Sequence, residues 1–265
     1  MKKILLLLLI TFLVGGCGEE KNSQNINAIK SDQTITIGID EFAPFGFTDE
    51  NGQIVGFDVD LAKEAARRMN VEIKFKVIDW DKKEYELSYG NIDMIWNGCD
   101  IMEEYRRYMI FSKPYMDNCQ VLLVKKGNPK NIHSVEDLAG KIVATQADSS
   151  SMNYIEENPN LQSSFADFKT YRRVSEGFDR LNNGEYDALI IDKLAAYYEA
   201  NKNPDKFEVL DVGIGFVSEF GIGFRRDNVK LRDRVQKVLD EMIADGTAKI
   251  ISKQWLGADL IKDMR

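Results

Sequence analysis

The chain is poor in the residues that most enzymes lean on. It carries one His, three Cys and five Pro among 265 residues. A single imidazole, His133, argues against zinc-hydrolase and Ser-His-Asp arrangements. So few cysteines exclude a small scaffold stapled by disulfides. Positive charge is also in deficit, with 35 Lys+Arg against 43 Asp+Glu and a net charge of −8. That balance speaks against binding a nucleic acid backbone. There is no GxxxxGK[ST], and Gly213-Ile-Gly215 lacks the further glycine and helix of a dinucleotide fingerprint. No metal site and no cofactor are called for. What remains is 44% apolar and 10% aromatic residues, enough for a sizeable core.

The one long hydrophobic run lies at the start. Lys2 and Lys3 precede an apolar stretch from Ile4 to Val14, broken by Thr11, that ends in Gly15-Gly16-Cys17. This is the plan of a secretory signal over residues 1–16, too short to span a bilayer, which takes about 20 apolar residues. Small residues before a cysteine resemble a bacterial lipobox, with Cys17 as the acylated first residue of the mature chain. Residues 18–33, rich in Glu, Lys, Asn, Ser and Gln, read as a flexible tether. The protein is thus expected outside the cytoplasm, held to the cell membrane by its lipid alone.

Thr34 to Asp40 alternates as a strand. Phe57, Leu61, Ala65 and Met69 then give one apolar helical face, and Val71 to Ile78 reads as a second strand. Ser134-Val-Glu-Asp137 fits a capping box and Gly140 a stop, predicting a short helix before a strand over Lys141 to Thr145. Leu231, Val235, Val238 and Met242 form a stripe, and Gly246 separates it from a last helix carrying Trp255 and Leu256. Alternating helices and strands imply an α/β architecture with mainly parallel sheets.

Leu87 to Trp96 matches Leu181 to Ile190 in type, 94 residues later, each reading as a helix end, a Gly cap and a buried strand. Such an offset suits two similar α/β lobes. Ligands of open α/β sheets sit beyond the carboxyl ends of strands, so Asp40, Asn97 to Asp100, and Asp192 should share a cleft.

Phe42-Ala-Pro-Phe45, Gly52 through Gly56-Phe57-Asp58-Val-Asp60-Leu61, Asn91-Ile-Asp93 with Phe111-Ser112-Lys113-Pro114-Tyr115, Val135 to Lys141 and Trp255-Leu256-Gly257 together resemble the family 3 extracellular solute-binding proteins. The resemblance runs in order over nearly all of residues 34–258. It implies the type II periplasmic-binding-protein fold: two Rossmann-like lobes joined by a two-strand hinge that closes on a ligand. Lobe 1 is then residues 34–114 plus 221–265 and lobe 2 residues 120–215, with crossings at 115–119 and 216–220. It implies a monomeric, non-catalytic receptor for a small amino acid or amine, serving an ABC permease with a cytoplasmic ATPase. A sensory lipoprotein without a permease stays open, as does a dehydratase on the same scaffold, for which Glu41 or Glu219 would supply the acid.

By the same resemblance, Phe42 and Trp80 fall at aromatic positions against the ligand, although each also reads as core. Asp40 and Glu41 stand at the cleft mouth. Asp192, after four apolar residues, falls at the carboxylate that receives an α-ammonium, or else caps a helix. Gln146, Ser149 and Ser150 occupy the turn that holds a ligand carboxylate, and either serine also suits a plain cap. The family pattern Gly, any residue, Thr, then Arg five residues later is broken here: Gly98, Cys99 and Asp100 lead to Tyr105. No guanidinium fork stands at that position. Either Arg106 or Arg107 swings in after a one-residue shift, or the ligand is not an ordinary α-amino acid; both arginines also suit a solvated helix face. Asp40, Glu41, Asp100 and Asp192 together point to an acidic cleft and a more positive ligand, with Asn97 among the residues facing it. Cys99 and Cys119 are either a disulfide or two free thiols.

Overall fold

The computed structural model describes residues 34–262. The signal segment, Cys17 and the tether expected over residues 1–33 lie outside the described residues. β1 (Thr34–Ile39) turns Ile35, Ile37 and Ile39 into the core. A loop leads to a small hairpin of β2 (Phe47–Thr48) and β3 (Ile54–Val55). Gly56 then opens α1 (Phe57–Met69) at φ 141°, where a Cβ would stand 2.3 Å from the Phe45 carbonyl oxygen. Only glycine fits there, so this part of the signature motif is first a folding requirement. Phe57, Leu61, Ala65 and Met69 are all buried on one face, as their spacing predicts.

The chain continues through β4 (Glu72–Val77), a 3₁₀ turn at Trp80–Lys82, α2 (Lys83–Ser88), β5 (Met94–Ile95), a 3₁₀ turn at Glu104–Arg107 and β6 (Met109–Phe111). The long strand β7 (Met116–Lys125) follows, then β8 (Ile142–Gln146), α3 (Ser150–Glu157), α4 (Pro159–Ser164), β9 (Asp167–Tyr171), α5 (Val174–Asn183), β10 (Ala188–Asp192) and α6 (Lys193–Lys202). A second long strand, β11 (Phe207–Phe220), returns to β12 (Gly223–Arg225), α7 (Val229–Ala244) and α8 (Thr247–Leu256). The stripe Leu231, Val235, Val238 and Met242 is the buried face of α7.

Two five-stranded sheets result, ordered β4-β1-β5-β12-β6 and β11-β7-β10-β8-β9. Their pairings correct the expectation of mainly parallel sheets. In each sheet two neighbouring pairs are parallel and two antiparallel. The cause is connectivity, since a parallel neighbour needs a long crossover. β12 enters the first sheet from β11 of the second after only Gly221 and Ile222, and runs antiparallel to both β5 and β6. The two long strands pair from Met116 with Phe220 to Lys125 with Phe207, linking the lobes. The repeated helix-Gly-strand units place Gly90 at φ 71° and Gly184 at φ 81°, each just before the central strand of its own sheet.

The helix expected after Ser134 is a single 3₁₀ turn, Glu136–Leu138. The capping carboxylate works as predicted, with Asp137 accepting the His133 and Ser134 N–H groups at 2.8 and 2.9 Å. Ala139, at ψ 128°, then turns the chain into extended form before a second helical turn can grow.

Candidate functional site

Between the sheets lies a narrow cleft lined by Asp40, Phe42, Trp80, Asn97, Gly98, Asp100, Tyr105, Gln146, Ser149, Ser150 and Asp192. Strand ends supply its acids. Asp40 follows β1, donates its backbone N–H to Asn97 Oδ1 at 2.7 Å, and accepts from the Glu41 N–H at 2.8 Å and from the Gln146 amide. Burial pushes its carboxyl up to about 6, against the opposing pull of Gln146.

Asp100 is fixed from the crossing strand. It bridges to Phe220 through the backbone, while the Gly221 N–H donates to the Cys99 carbonyl and the Ile101 N–H to the Glu219 carbonyl. Its carboxylate accepts from Ser218 Oγ at 2.6 Å and Asn118 Nδ2 at 3.2 Å. The same Asn118 amide reaches Asp192, which also accepts from Gln120 Nε2 at 2.8 Å. Burial raises both carboxyls, and the negative charge of Asp100 adds to the rise that carries Asp192 to about 7. Although Asp192 stands at the start of α6, its side chain makes no capping bond to the helix. The cap reading of that residue therefore gives way to a network inside the cleft. Ser149 does cap α3, accepting from the Met152 N–H at 3.2 Å.

Asp58 of the signature motif lies fully buried behind this lining. It accepts from the Gly98 N–H at 2.7 Å and from Tyr115 Oη at 2.9 Å, tying the 97–100 turn to the start of the crossing. Desolvation pushes its carboxyl up to about 7.

Comparison with known proteins decides the family. The model of the bacterial extracellular solute-binding proteins, family 3, matches residues 35–258. The chain belongs to that family. It is 31% identical over 239 residues to the L-cystine-binding protein TcyJ of Escherichia coli, covering 89% of this chain and 88% of that one. A substrate-binding protein of an ABC uptake transporter from Streptococcus pneumoniae, solved with bound histidine, superposes with a TM-score of 0.83 at 34% identity, covering 88% of this chain and 96% of the other. An ancestral arginine-binding protein bound to glutamine gives a TM-score of 0.78 at 37% identity, over 84% and 98% of the two chains. The type II fold and the extracytoplasmic solute-binding class follow from these matches.

Three residues expected at the site lie outside its lining. Glu41 turns its carboxylate to the Thr48 N–H at 2.8 Å and hydroxyl at 2.5 Å. Cys99 is buried in the core beneath the turn, its thiol pushed up to about 12 by desolvation. Arg106 does not swing in; it is half exposed, paired with Glu103 at 3.1 Å and laid over Phe111. Arg107 pairs with Glu84 at 2.8 Å on the outside. No one-residue shift occurs, because the 3₁₀ turn buries Tyr105 and directs both arginines outward. Cys99 and Cys119 are free thiols.

The residue that the sequence reading missed is Lys83. It is fully buried, sits 4.9 Å from the Trp80 ring centroid and 4.5 Å from that of Tyr105, and binds the Asp148 carboxylate. Its remaining bonds go to the carbonyls of Asp148 at 2.8 Å and Trp80 at 3.3 Å. Tyr105 Oη donates to that same Asp148 carbonyl at 2.6 Å. Among four consecutive charged residues, Asp81-Lys82-Lys83-Glu84, nothing in the sequence marks the third as buried. Asn118 and Gln120 were also missed; alternate polar residues entering an apolar strand were their only signal.

Proposed function

We propose that the chain is a membrane-tethered receptor, lipidated at Cys17 after removal of residues 1–16, that traps a small amino acid or amine between its lobes. It presents the closed form to an ABC permease driven by a cytoplasmic ATPase. It acts as a monomer and does no chemistry on its ligand. Lobe 1 comprises residues 34–114 and 221–265 and lobe 2 residues 120–215, with crossings at 115–119 and 216–220. The sheet membership of β6, β7, β11 and β12 supports these boundaries.

The observation that carries the reading is the cleft itself, with acids and aromatic faces contributed from both sheets in a member of a solute-binding family. Asp192, Asp100 and Asp40 receive positive charge, and Phe42, Trp80 and Tyr105 supply apolar and cation-attracting faces. Closure is favoured by bonds across the cleft, from Lys83 and Tyr105 to Asp148, Gln146 to Asp40, and Asn153 to Glu104 at 2.6 Å. The two acids named for a dehydratase are engaged elsewhere, Glu41 with Thr48 and Glu219 with Lys262.

A thermal-shift screen of the full chain against the standard amino acids and small amines tests the reading. A ligand at a hundred times its Kd stabilises the native state by about 2.7 kcal/mol. At least one compound should raise Tm by several degrees; silence across the panel contradicts the proposal.

A further inference from the structure

We infer that the cleft selects a small amine with two cationic ends and no carboxylate, an α,ω-diamine or a guanidino-amine. The inference rests on the receptor reading above and narrows its ligand.

Charge is the first ground. Asp40, Asp100 and Asp192 line the cleft, and no Lys, Arg or His side chain does. The nearest ammonium, Lys83, is fully buried and spends its bonds on Trp80 and on Asp148, whose carboxylate balances it. The cleft acids therefore have no counter-cation of their own, so a cationic ligand group draws them into the ionised form, whereas a ligand carboxylate would meet them in a poorly solvated space.

The donors give a second and independent ground. An α-carboxylate needs N–H or O–H groups aimed at its oxygens. Several of those lining this site are committed within the protein. The Gly98 N–H goes to Asp58 at 2.7 Å, Tyr105 Oη to the Asp148 carbonyl at 2.6 Å, and Ser149 Oγ to the Gln146 carbonyl at 2.7 Å. The Gln146 amide is divided between Asp40 and the Arg172 carbonyl at 3.0 Å. Three carboxyl groups beside donors that are in large part engaged make a lining that suits ammonium and guanidinium groups.

Two acidic centres, not one, set the number of cationic ends. Asp100 and Asp192 share the Asn118 amide and act as one centre. Asp40 is the other, with Glu41 beside it, while Asp79 nearby is paired with Lys82 and Arg173. Both centres line the one cleft, an arrangement that suits a short chain with a charge at each end.

Calorimetric titration of the detergent-solubilised full chain with matched pairs isolates the carboxylate: cadaverine against lysine, and agmatine against arginine. In at least one pair the decarboxylated compound should bind tenfold or more tightly than its amino acid. Equal or tighter binding of lysine and arginine overturns the inference and leaves the receptor reading standing. Failure of every amine and every amino acid to bind overturns both. Asp100→Thr should lower the amine-to-amino-acid affinity ratio at least tenfold, with Asp100→Asn as the milder variant should the first not fold. An unchanged ratio in the folded variant also overturns the inference.

Discussion

On the second-sheet side of the cleft, Asp192 ends β10 and Ser149 begins α3, so the polar groups stand where strand and helix ends put them. On the first-sheet side, Tyr105 and Lys83 reach across the cleft to grip Asp148, which follows β8. One side sets a carboxyl at the end of a strand, and the other sends a hydroxyl and an ammonium across to the opposite sheet. The comparison teaches that Tyr105, which stands where the resemblance leads one to expect an Arg, ties the two sheets to each other at Asp148.

The sharpest way to break this comparison is to cut that contact from each end. Asp148→Ala leaves a fully buried ammonium without its counter-charge and should cost about 3–5 kcal/mol in denaturant unfolding. Lys83→Met leaves Asp148, whose side chain is 38% exposed and can rehydrate, so its cost should fall below that range. A larger loss for Lys83→Met than for Asp148→Ala would contradict the account.

Asp58→Ala removes the acceptor of the Gly98 N–H and of Tyr115 Oη, each costing about 1–3 kcal/mol when left unpaired in the interior. Unfolding should show a loss of a few kcal/mol at neutral pH, together with weakened ligand binding because the 97–100 turn loses its support.

The pH dependence sharpens the contrast between buried and surface acids. Asp40 near 6, and Asp58 and Asp192 near 7, hold protons that the unfolded chain, with ordinary values of 3.8, has already released. Stability from these groups is complete below about pH 4 and falls as pH rises to about 7. Glu64, held near 2 by bonds from Arg67 and Arg68, works in the opposite direction and is lost only as pH drops below its ordinary range. The ligand-free protein should therefore melt at a higher temperature at pH 5 than at pH 7.5, and scanning calorimetry across that range checks it.

The smallest effect concerns the thiols. Cys99, buried and shifted to about 12, should resist labelling in the native protein at neutral pH, while Cys119 should react first. Equal labelling rates, followed by mass spectrometry, would place the 97–100 turn in solvent.

Much of this was legible before the structure. The helix face at Phe57, Leu61, Ala65 and Met69, the stripe on α7 and the repeated Gly90 and Gly184 units are local patterns, and local patterns survive into the fold. The acids of the cleft were legible because they follow apolar strands. Lys83 was not, since its burial depends on a partner 65 residues away in the other lobe. Asp58 was quoted as part of a signature, but its place beneath Gly98 arises only when α1 packs below that turn. The mixed sheets escaped for a similar reason: strand direction is set by the two long crossings, whose pairing partners lie far apart in the chain.

Calorimetric titration of the wild-type chain and of Asp192→Asn with the tightest-binding amine tests the central claim most directly. The account predicts that the variant, folded by its melting profile, binds at least a hundredfold more weakly. Unchanged affinity would contradict the placement of the ligand in this cleft.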